Sequence, residues 1–205
     1  MTLQFKKKDV DLDNVVRIIR ATDAAVDLRN PHTEPSVPEQ VRASAQVAAV
    51  AMLIVDKPNP TVIFTRRHPG IRFGGQYCFP GGKADSGDNS IEETVRREIR
   101  EEIEVTASGY QMIGSLGRYY TQTGFCITSF VGIVTPDYTV VLNPAEVTDL
   151  KEVLLEDLLN PDHYQLVGRA ANRAHYHFRL KGFEVSGPTV SMMINFAEII
   201  SRNCY

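Results

Sequence analysis

The sequence predicts an α+β fold in which a mixed β-sheet lies between α-helices. Apolar runs of strand length, the longest between residues 45 and 55, are separated by turns that contain proline and glycine. A helical repeat of apolar residues lies between residues 90 and 105, and another ends the chain. Strand and helix patterns mix without a regular βαβ alternation, which favours a sheet flanked by helices.

The composition is that of an ordinary globular protein. The 205 residues are enough for one domain with a sizeable core, and 43% of them are hydrophobic and 23% charged. The net charge is −3 and no basic stripe with interleaved aromatic residues is present, which excludes a nucleic-acid or membrane surface. The longest apolar stretch, residues 47 to 55, is about half as long as a membrane span. We therefore expect a small-molecule partner.

The cysteines and the first residues indicate the cytoplasm. The lysines at positions 6 to 8 are followed by aspartates where a signal peptide needs an apolar run. Cys78, Cys126 and Cys204 are an odd, widely spaced set, which fits free thiols in a reducing compartment better than disulfides or a zinc site.

The first 38 residues are predicted to be a helix and a linker ahead of the main domain. Residues 10 to 28 place aliphatic residues at helical spacing among charges. Residues 30 to 38 contain three prolines. We therefore divide the chain into residues 1–38 and a main domain of residues 39–205. The apolar stripe of the helix is compatible with packing on the main domain or on a second chain, so a homodimer stays open.

The main domain begins with strands and ends with a helix. The predicted strands are residues 45–55, 61–65, 77–79, 112–120 and 125–134. Residues 152–159 begin as a strand and turn helical before a proline, and residues 176–185 form a hairpin that turns at Lys181-Gly182. The last helix begins near Pro188, where the missing N–H of proline is harmless.

The helix near residues 90–105 is the most informative segment. It follows a predicted turn at Gly81-Gly82, and Ser90 and Glu93 form a capping-box pattern in which both side chains satisfy free backbone N–H groups. Its core-facing stripe consists of Ile91, Val95, Ile99 and Ile103.

Three carboxylates beside that stripe predict a metal site. Glu98, Glu101 and Glu102 have i, i+3 and i+4 spacing, which places them within an arc of about 100° on the helix surface. Their mutual repulsion costs roughly 0.2–0.5 kcal/mol per pair. A hard divalent cation relieves this repulsion, and all-oxygen ligands favour Mg²⁺ or Mn²⁺. The competing interpretation is a solvated acidic helix face.

Residues 82–105 resemble the signature of the Nudix hydrolases. That signature is a glycine, five residues, a glutamate, seven residues and then R-E-U-x-E-E-x-G-U, where U is aliphatic. The residues that match its second part are Arg97, Glu98, Ile99, Glu101, Glu102 and Val105. The spacing before Arg97 is one residue longer than usual, with Asp88 in place of the first glutamate, and Glu104 replaces the last glycine.

Both differences resemble the coenzyme A diphosphatase subset of this family. A second signature of that subset, T-x-R-S-x-x-L-R-x-H-x-G-Q-x-x-F-P-G-G, is similar to residues 65–82. The fitting residues are Thr65, Arg67, Ile71, Arg72, Gly75, Gln76, Phe79, Pro80, Gly81 and Gly82. The loop is one residue shorter before Gly75 and lacks the usual histidine, and His68 replaces the serine. Residues 121–125 and 143–147 also look like segments of the subset.

The resemblance implies roles for particular residues. The implied metal ligands are Glu98, Glu101, Glu102 and the carbonyl oxygen of Gly82. The implied catalytic residues are Arg97, Glu98, Glu101 and Glu146. Arg97 would orient a carboxylate through a charge-assisted hydrogen bond. Glu146 would be an extra metal ligand or the general base, and Glu104, Glu152 and Glu156 compete with it for that role.

The implied substrate-binding residues lie mostly in the loop before the acidic helix. They are Arg67, Arg72, Gln76 and Phe125. The arginines could form bidentate hydrogen bonds with substrate phosphates, including the 3′-phosphate of coenzyme A. Phe125 would shape the pocket wall. The competing interpretation of both arginines is a solvated basic loop.

The resemblance implies Mg²⁺- or Mn²⁺-dependent hydrolysis of coenzyme A, or its derivatives, to 3′,5′-ADP and 4′-phosphopantetheine. A second interpretation changes only the substrate, to another nucleoside diphosphate linked to a group X such as ADP-ribose, NADH or a modified nucleotide, because the loop before Gly75 is shortened. A third is a ligand-binding module without catalysis, although such modules usually lose the glutamates that this chain keeps. A cysteine nucleophile is poorly supported, since no histidine is paired with Cys78 in the sequence.

Overall fold

A mixed sheet forms the centre of the protein in the computed structural model, which describes residues 3–5, 11–33, 35–105, 109–168 and 174–203. Its strands, in chain order, are β1 (Gln46–Val55), β2 (Thr61–Arg67), β3 (Tyr77–Cys78), β4 (Gly81–Lys83), β5 (Tyr110–Tyr120), β6 (Phe125–Val134) and β7 (Val147–Leu154). The order is β3-β2-β1-β6-β5, with β4 paired to β1 and β7 paired to β2. β1 and β6 are parallel and the other pairs are antiparallel, so the sheet is mixed.

Helices and a smaller sheet cover the two faces of this central sheet. The helices are α1 (Leu12–Arg20), α2 (Glu39–Ala43), α3 (Ile91–Ile103), α4 (Leu155–Leu158) and α5 (Gly187–Asn203). The small sheet consists of β8 (Tyr164–Val167), β9 (His175–Leu180) and β10 (Phe183–Val185). α3 packs on one face, and α1, α5 and the small sheet share a core with the other. The predicted α+β fold, a mixed sheet sandwiched between helices, is confirmed.

The apolar patterns explain why β1 is central. Its side chains alternate between the two faces, as in any strand. Ala49, Ala51 and Leu53 belong to the core under α3, whereas Met52 and Ile54 belong to the core under α5. A strand that is covered on both faces is apolar along its covered length, which is why residues 47–55 form a continuous apolar run.

The acidic helix forms as the sequence predicts. The Ser90 hydroxyl accepts a hydrogen bond from the N–H of Glu93 at 3.1 Å, and the Glu93 carboxylate accepts one from the N–H of Asn89 at 2.6 Å. The predicted stripe is buried: Val95, Ile99 and Ile103 are inaccessible to solvent, and Ile91 packs partly buried beside them.

The predicted helix of residues 10–28 is shorter in the structure, and residue 10 lies outside the described part. α1 ends at Arg20, and the Asp23 side chain then caps a turn by accepting a hydrogen bond from Ala25. The chain next runs along β5, where Leu28 N–H donates to the carbonyl of Arg118 at 2.7 Å. The last turns of the predicted helix are therefore replaced by a segment that pairs with the edge of β5, although the helical spacing of aliphatic residues continues beyond Arg20.

Residues 30–33, predicted as part of a linker, and Arg29 before them are attached to α5. Arg29 Nε donates to Glu198 Oε2 at 2.8 Å, and His32 Nε2 lies 2.9 Å from the hydroxyl of Ser191. Burial lowers the pKa of His32 to about 4, so its ring stays neutral at physiological pH. α1 contributes Val15, Ile18 and Ile19 to the core beside α5, so this helix packs on its own chain.

Other elements also differ from the sequence prediction. β7 begins at Val147, earlier than the predicted residue 152, because its first half pairs with β2. β8 was not predicted, since its exposed Leu166 and Val167 follow no alternating pattern. The hairpin turning at Lys181-Gly182 and the helix beginning near Pro188 are confirmed as β9–β10 and α5.

Glu104 ends α3 in a left-handed conformation, with φ of 48° and ψ of 32°. Glycine adopts this conformation without steric cost, whereas other residues pay about 1–2 kcal/mol. Replacing Glu104 with glycine is therefore expected to raise the free energy of unfolding by about 1 kcal/mol. Urea denaturation checks this expectation. The control is the Glu92→Gly variant in the first turn of α3, which must be less stable than the wild type. A Glu104→Gly protein that is less stable than the wild type would contradict the expectation.

Candidate active site

Two glycines bring β1, β4 and α3 into close contact at one end of the sheet. The predicted turn at Gly81-Gly82 is instead the start of β4, which pairs with β1. Gly81 has a φ of 144°, and a Cβ there would lie 2.2 Å from the carbonyl oxygen of Ala49. A Cβ on Gly82 would lie 2.5 Å from the carboxylate carbon of Glu98. Glycine is required at both positions because backbone and carboxylate occupy the space of a side chain.

Three carboxylates meet beside this strand. Glu98 and Glu102 project from α3 and Glu146 precedes β7, and one oxygen of each lies within 4.8 Å of the others. The side chain of Glu102 is only 4% exposed and that of Glu98 13% exposed. Such oxygen donors suit Mg²⁺ or Mn²⁺, and the shielding of so much negative charge is consistent with a cation site.

Hydrogen bonds between loops hold Glu146 in this group. Asn143 N–H donates to the carbonyl of Glu102 at 2.9 Å, and the Asn143 amide donates to the Glu146 carboxylate at 3.2 Å. The carbonyl of Glu146 accepts from the N–H of His68 at 2.7 Å. The pairing of β2 with β7 brings these loops together.

The other acids that compete with Glu146 point elsewhere. The Glu152 carboxylate accepts hydrogen bonds from Lys57, Thr61 and Tyr138. Glu156 is exposed on α4, and Glu104 caps the end of α3. Among these four glutamates, Glu146 is the one that joins Glu98 and Glu102.

The pKa of Glu102 is raised to about 8, mainly because burial disfavours its charge. The N–H of Gly81, 3.3 Å away, and Arg67, whose Nη1 is 3.9 Å away, oppose this shift. Burial also raises the pKa of Glu98. At neutral pH the metal-free protein therefore keeps Glu102 largely protonated.

Divalent-metal binding is expected to release a proton. A ligand carboxylate must be ionised, so a cation that binds to Glu102 below pH 8 would displace its proton. The affinity for Mn²⁺ should rise as the pH increases from 6 to 8 and level off above the pKa of about 8. Titration calorimetry in buffers of different ionisation enthalpy measures this release. An affinity that does not change over this pH range would contradict the assignment.

Arg97 organises the acidic residues around it. Its Nε and Nη2 donate to the two oxygens of Asp88 at 3.0 and 3.1 Å, and its Nη1 donates to Glu98 at 3.0 Å and to Glu101 at 2.8 Å. Nη2 also donates to the carbonyl of Lys83 at 2.9 Å. The guanidinium holds the pKa of the Asp88 carboxyl well below its usual range. Arg97 is thus hydrogen-bonded to Asp88 on one side and to Glu98 on the other, and its role in positioning Glu98 stays a prediction.

Glu101 lies apart from the three clustered carboxylates. Its side chain is 47% exposed, and one of its oxygens is bonded to Arg97. The helix places Glu98 and Glu102 on the side that faces β4, whereas Glu101 is turned toward solvent.

The predicted substrate-binding residues fall on the rim of this site. Arg67 points inward toward Glu102 and donates to the carbonyl of Arg72 at 3.3 Å. The Arg72 guanidinium lies 5.5 Å from the ring centre of Phe125. Gln76 accepts a backbone hydrogen bond from Arg67 at 3.0 Å, which closes the loop between β2 and β3. Arg72 and Phe125 are therefore in contact, whereas Gln76 contacts Arg67 through its backbone carbonyl.

Two residues at the rim were missed by the sequence reasoning. Lys83 Nζ lies 5.5 Å from the ring centre of Phe125, and Phe73 is 49% exposed with its ring centre 4.7 Å from the Arg72 guanidinium. Lys83 could have been noticed because it directly follows Gly82. Phe73 could not, because its left-handed φ of 60° leaves no pattern in the sequence.

The two cysteines in the described part of the chain, Cys78 and Cys126, are not members of the carboxylate group. Burial raises the pKa of the Cys78 thiol to about 11, which makes it a poor nucleophile at neutral pH. Cys78 and Cys126 are free thiols, as predicted, and Cys204 lies outside the described residues.

No helix within the described ranges is long and apolar enough to cross a membrane.

Comparisons with known proteins agree with this geometry. Residues 45–171 match the family model described as NUDIX domain. The chain is 35% identical to the uncharacterized Nudix hydrolase NudL of Photorhabdus laumondii over 147 residues, 70% of this chain and 79% of that protein. It is 39% identical to NudL of Yersinia enterocolitica over 128 residues, 62% of this chain and 66% of that protein.

A solved structure shares the fold. The crystal structure of the MutT protein from Methanosarcina mazei Go1 superposes with a TM-score of 0.52 at 21% identity, covering 78% of this chain and 96% of that chain.

Proposed function

The chain belongs to the NUDIX domain family and is a Nudix pyrophosphohydrolase, and on this premise we propose that it hydrolyses the diphosphate bond of coenzyme A or its derivatives. The proposed products are 3′,5′-ADP and 4′-phosphopantetheine, and the proposed compartment is the cytoplasm. The coarser activity, hydrolysis of a small nucleoside diphosphate derivative, follows from the family. Members of the family generally use divalent metal ions, and we propose Mg²⁺ or Mn²⁺ here.

The observation that carries the proposal is the group of Glu98, Glu102 and Glu146 beside an arginine-bearing loop. A diphosphate repels an incoming water because both phosphates are anionic. A divalent cation, when bound, neutralises phosphate oxygens and lowers the pKa of a coordinated water. The chain supplies hard oxygen ligands and cationic side chains within one site, which is what this substrate requires.

We assign each residue a role in the reaction. Glu98, Glu102 and the carbonyl of Gly82 are proposed to hold the metal, and Glu101 completes the ligand set, although one of its oxygens is bonded to Arg97. Glu146 accepts the proton of the attacking water or serves as a further ligand.

Arg97 keeps Glu98 in place by donating to it while Asp88 fixes the other side of the guanidinium. Asp88 takes the place that a glutamate has in the common form of the signature, and the longer spacing before Arg97 supports the coenzyme A assignment.

The substrate choice depends on the loop between β2 and β3. Arg67 and Arg72 fit the coenzyme A signature; Arg67 lies 3.9 Å from Glu102, and Arg72 lies beside Phe125. The loop is one residue shorter than that signature, which is the observation that favours the second candidate, another nucleoside diphosphate linked to X such as ADP-ribose or NADH.

A substrate panel tests the proposal. The protein is incubated with Mg²⁺ or Mn²⁺ and coenzyme A, acyl-coenzyme A, ADP-ribose, NADH or nucleoside triphosphates, and products are identified by mass. Release of 4′-phosphopantetheine from coenzyme A is the expected result. Turnover of ADP-ribose without turnover of coenzyme A would contradict the proposal and support the second candidate. Binding without turnover of any compound would indicate a non-catalytic module.

A further inference from the structure

Two cationic side chains surround one aromatic ring at the rim of the site. The Arg72 guanidinium and the Lys83 ammonium each lie 5.5 Å from the ring centre of Phe125. Both distances are within the range of a cation–π contact. The three residues come from different segments, since Arg72 lies in the β2–β3 loop, Lys83 ends β4 and Phe125 begins β6.

Within the described residues, neither cation has an ion-pair partner. Among the described residues, no carboxylate lies within ion-pair distance of Arg72 or Lys83. Other arginines near the site are engaged: Arg97 with three carboxylates, and Arg67 with Glu102 and a backbone carbonyl. Two like charges on one ring repel each other, so an anion that binds between them removes an electrostatic cost.

The loop conformation holds Arg72 in this arrangement. Phe73 adopts a left-handed φ of 60°, which is strained for an aromatic residue, and its exposed ring packs against Arg72 at 4.7 Å. A Cβ on Gly74 would lie 2.6 Å from the carbonyl oxygens of His68 and Pro69, so the loop is compact. Arg72 is exposed to solvent, and its guanidinium lies against the rings of both Phe73 and Phe125.

We infer that Arg72 and Lys83, held against Phe125, form a subsite for a phosphomonoester, which in the proposed function is the 3′-phosphate of coenzyme A. Lys83 directly follows Gly82, which contacts Glu98, so the subsite adjoins the metal site. In coenzyme A a single ribose separates the 3′-phosphate from the diphosphate, which matches two adjacent subsites. A phosphomonoester carries a charge of roughly −1.5 to −2 at pH 7, which suits two cations. This inference rests on the proposed function for the identity of the ligand.

Binding of two nucleotides tests the subsite directly. The affinities of 3′,5′-ADP and AMP, which differ by the 3′-phosphate, are measured by calorimetry with Mg²⁺ for the wild type, Lys83→Gln and Arg72→Gln. We expect the wild type to bind 3′,5′-ADP about tenfold or more tightly than AMP, and each variant to lose most of this preference. Lys181→Gln, which removes a lysine from the β9–β10 turn, is the matched control and should keep the preference.

The outcomes separate this inference from the proposed function. Equal affinities in the wild type, no measurable binding of either nucleotide, or variants that weaken both nucleotides equally would overturn the subsite. A kept preference for 3′,5′-ADP in a protein that does not cleave coenzyme A would support the subsite and reject the proposed substrate. Cleavage of coenzyme A and dephospho-coenzyme A at equal kcat/KM, with no binding preference, would reject the subsite and support the proposed function.

Discussion

Replacing Glu102 with glutamine is expected to lower the rate of metal-dependent hydrolysis by about 10³-fold, because the loss of a metal ligand removes several kcal/mol of charge stabilisation from the transition state. The same variant is expected to be more stable than the wild type in EDTA above pH 8. Activity in Mg²⁺ and urea denaturation in EDTA measure the two effects.

The stability gain follows from the raised pKa of Glu102. Its carboxyl has a pKa of about 8 in the folded protein and an ordinary, lower value in the unfolded chain. The protonated form thus favours folding at acidic pH, and this contribution is lost as the pH rises toward 8 and the buried group must ionise. Glutamine stays neutral, so it avoids a cost of roughly 2–4 kcal/mol at higher pH.

A control variant on the same helix distinguishes loss of the metal site from a general effect of removing a carboxylate from α3. Glu92, which is 47% exposed and paired with Arg96, can be changed to glutamine with little expected effect on activity. A Glu102→Gln protein that keeps full activity would show that the metal assignment is wrong. A Glu102→Gln variant less stable than the wild type in EDTA at pH 9 would show that the ionised Glu102 carboxylate does not destabilise the folded protein.

Replacing Glu146 with glutamine is expected to lower kcat by about 10²–10⁴-fold, the range for the loss of a general base. Its carboxylate lies within 4.8 Å of Glu98 and Glu102, so an effect on metal binding is also measurable. A Mn²⁺ titration separates the two roles: an unchanged dissociation constant indicates the base, and a weakened one indicates a ligand.

The exposed glutamates of the chain provide the control for this variant. Glu156→Gln, on the surface of α4, is expected to retain wild-type kcat. If Glu146→Gln also retains it, Glu146 is neither the base nor a required ligand, and the water must be activated by another group in the site.

Local patterns account for the parts of the fold that the sequence predicted correctly. Ser90 caps α3, and Val95, Ile99 and Ile103 are buried on one face of it. The cap depends on hydrogen bonds between residues a few positions apart, and the buried face depends on the helical spacing of side chains. Both are set locally, whatever surrounds the helix. The end of α1 at Arg20 was missed because β5 competes for the residues that follow, and that strand lies far along the chain.

The sequence by itself determined the acidic helix, the arc of carboxylates formed by Glu98, Glu101 and Glu102, and membership of a family that acts on diphosphates. Only the tertiary structure decided that Glu146 joins two of these carboxylates while Glu101 turns outward toward Arg97. It alone brought Arg72 and Lys83 to the ring of Phe125. The physical reason is that helical spacing is set by local backbone hydrogen bonds, whereas contacts between distant segments depend on which strands pair and on which side chains are buried.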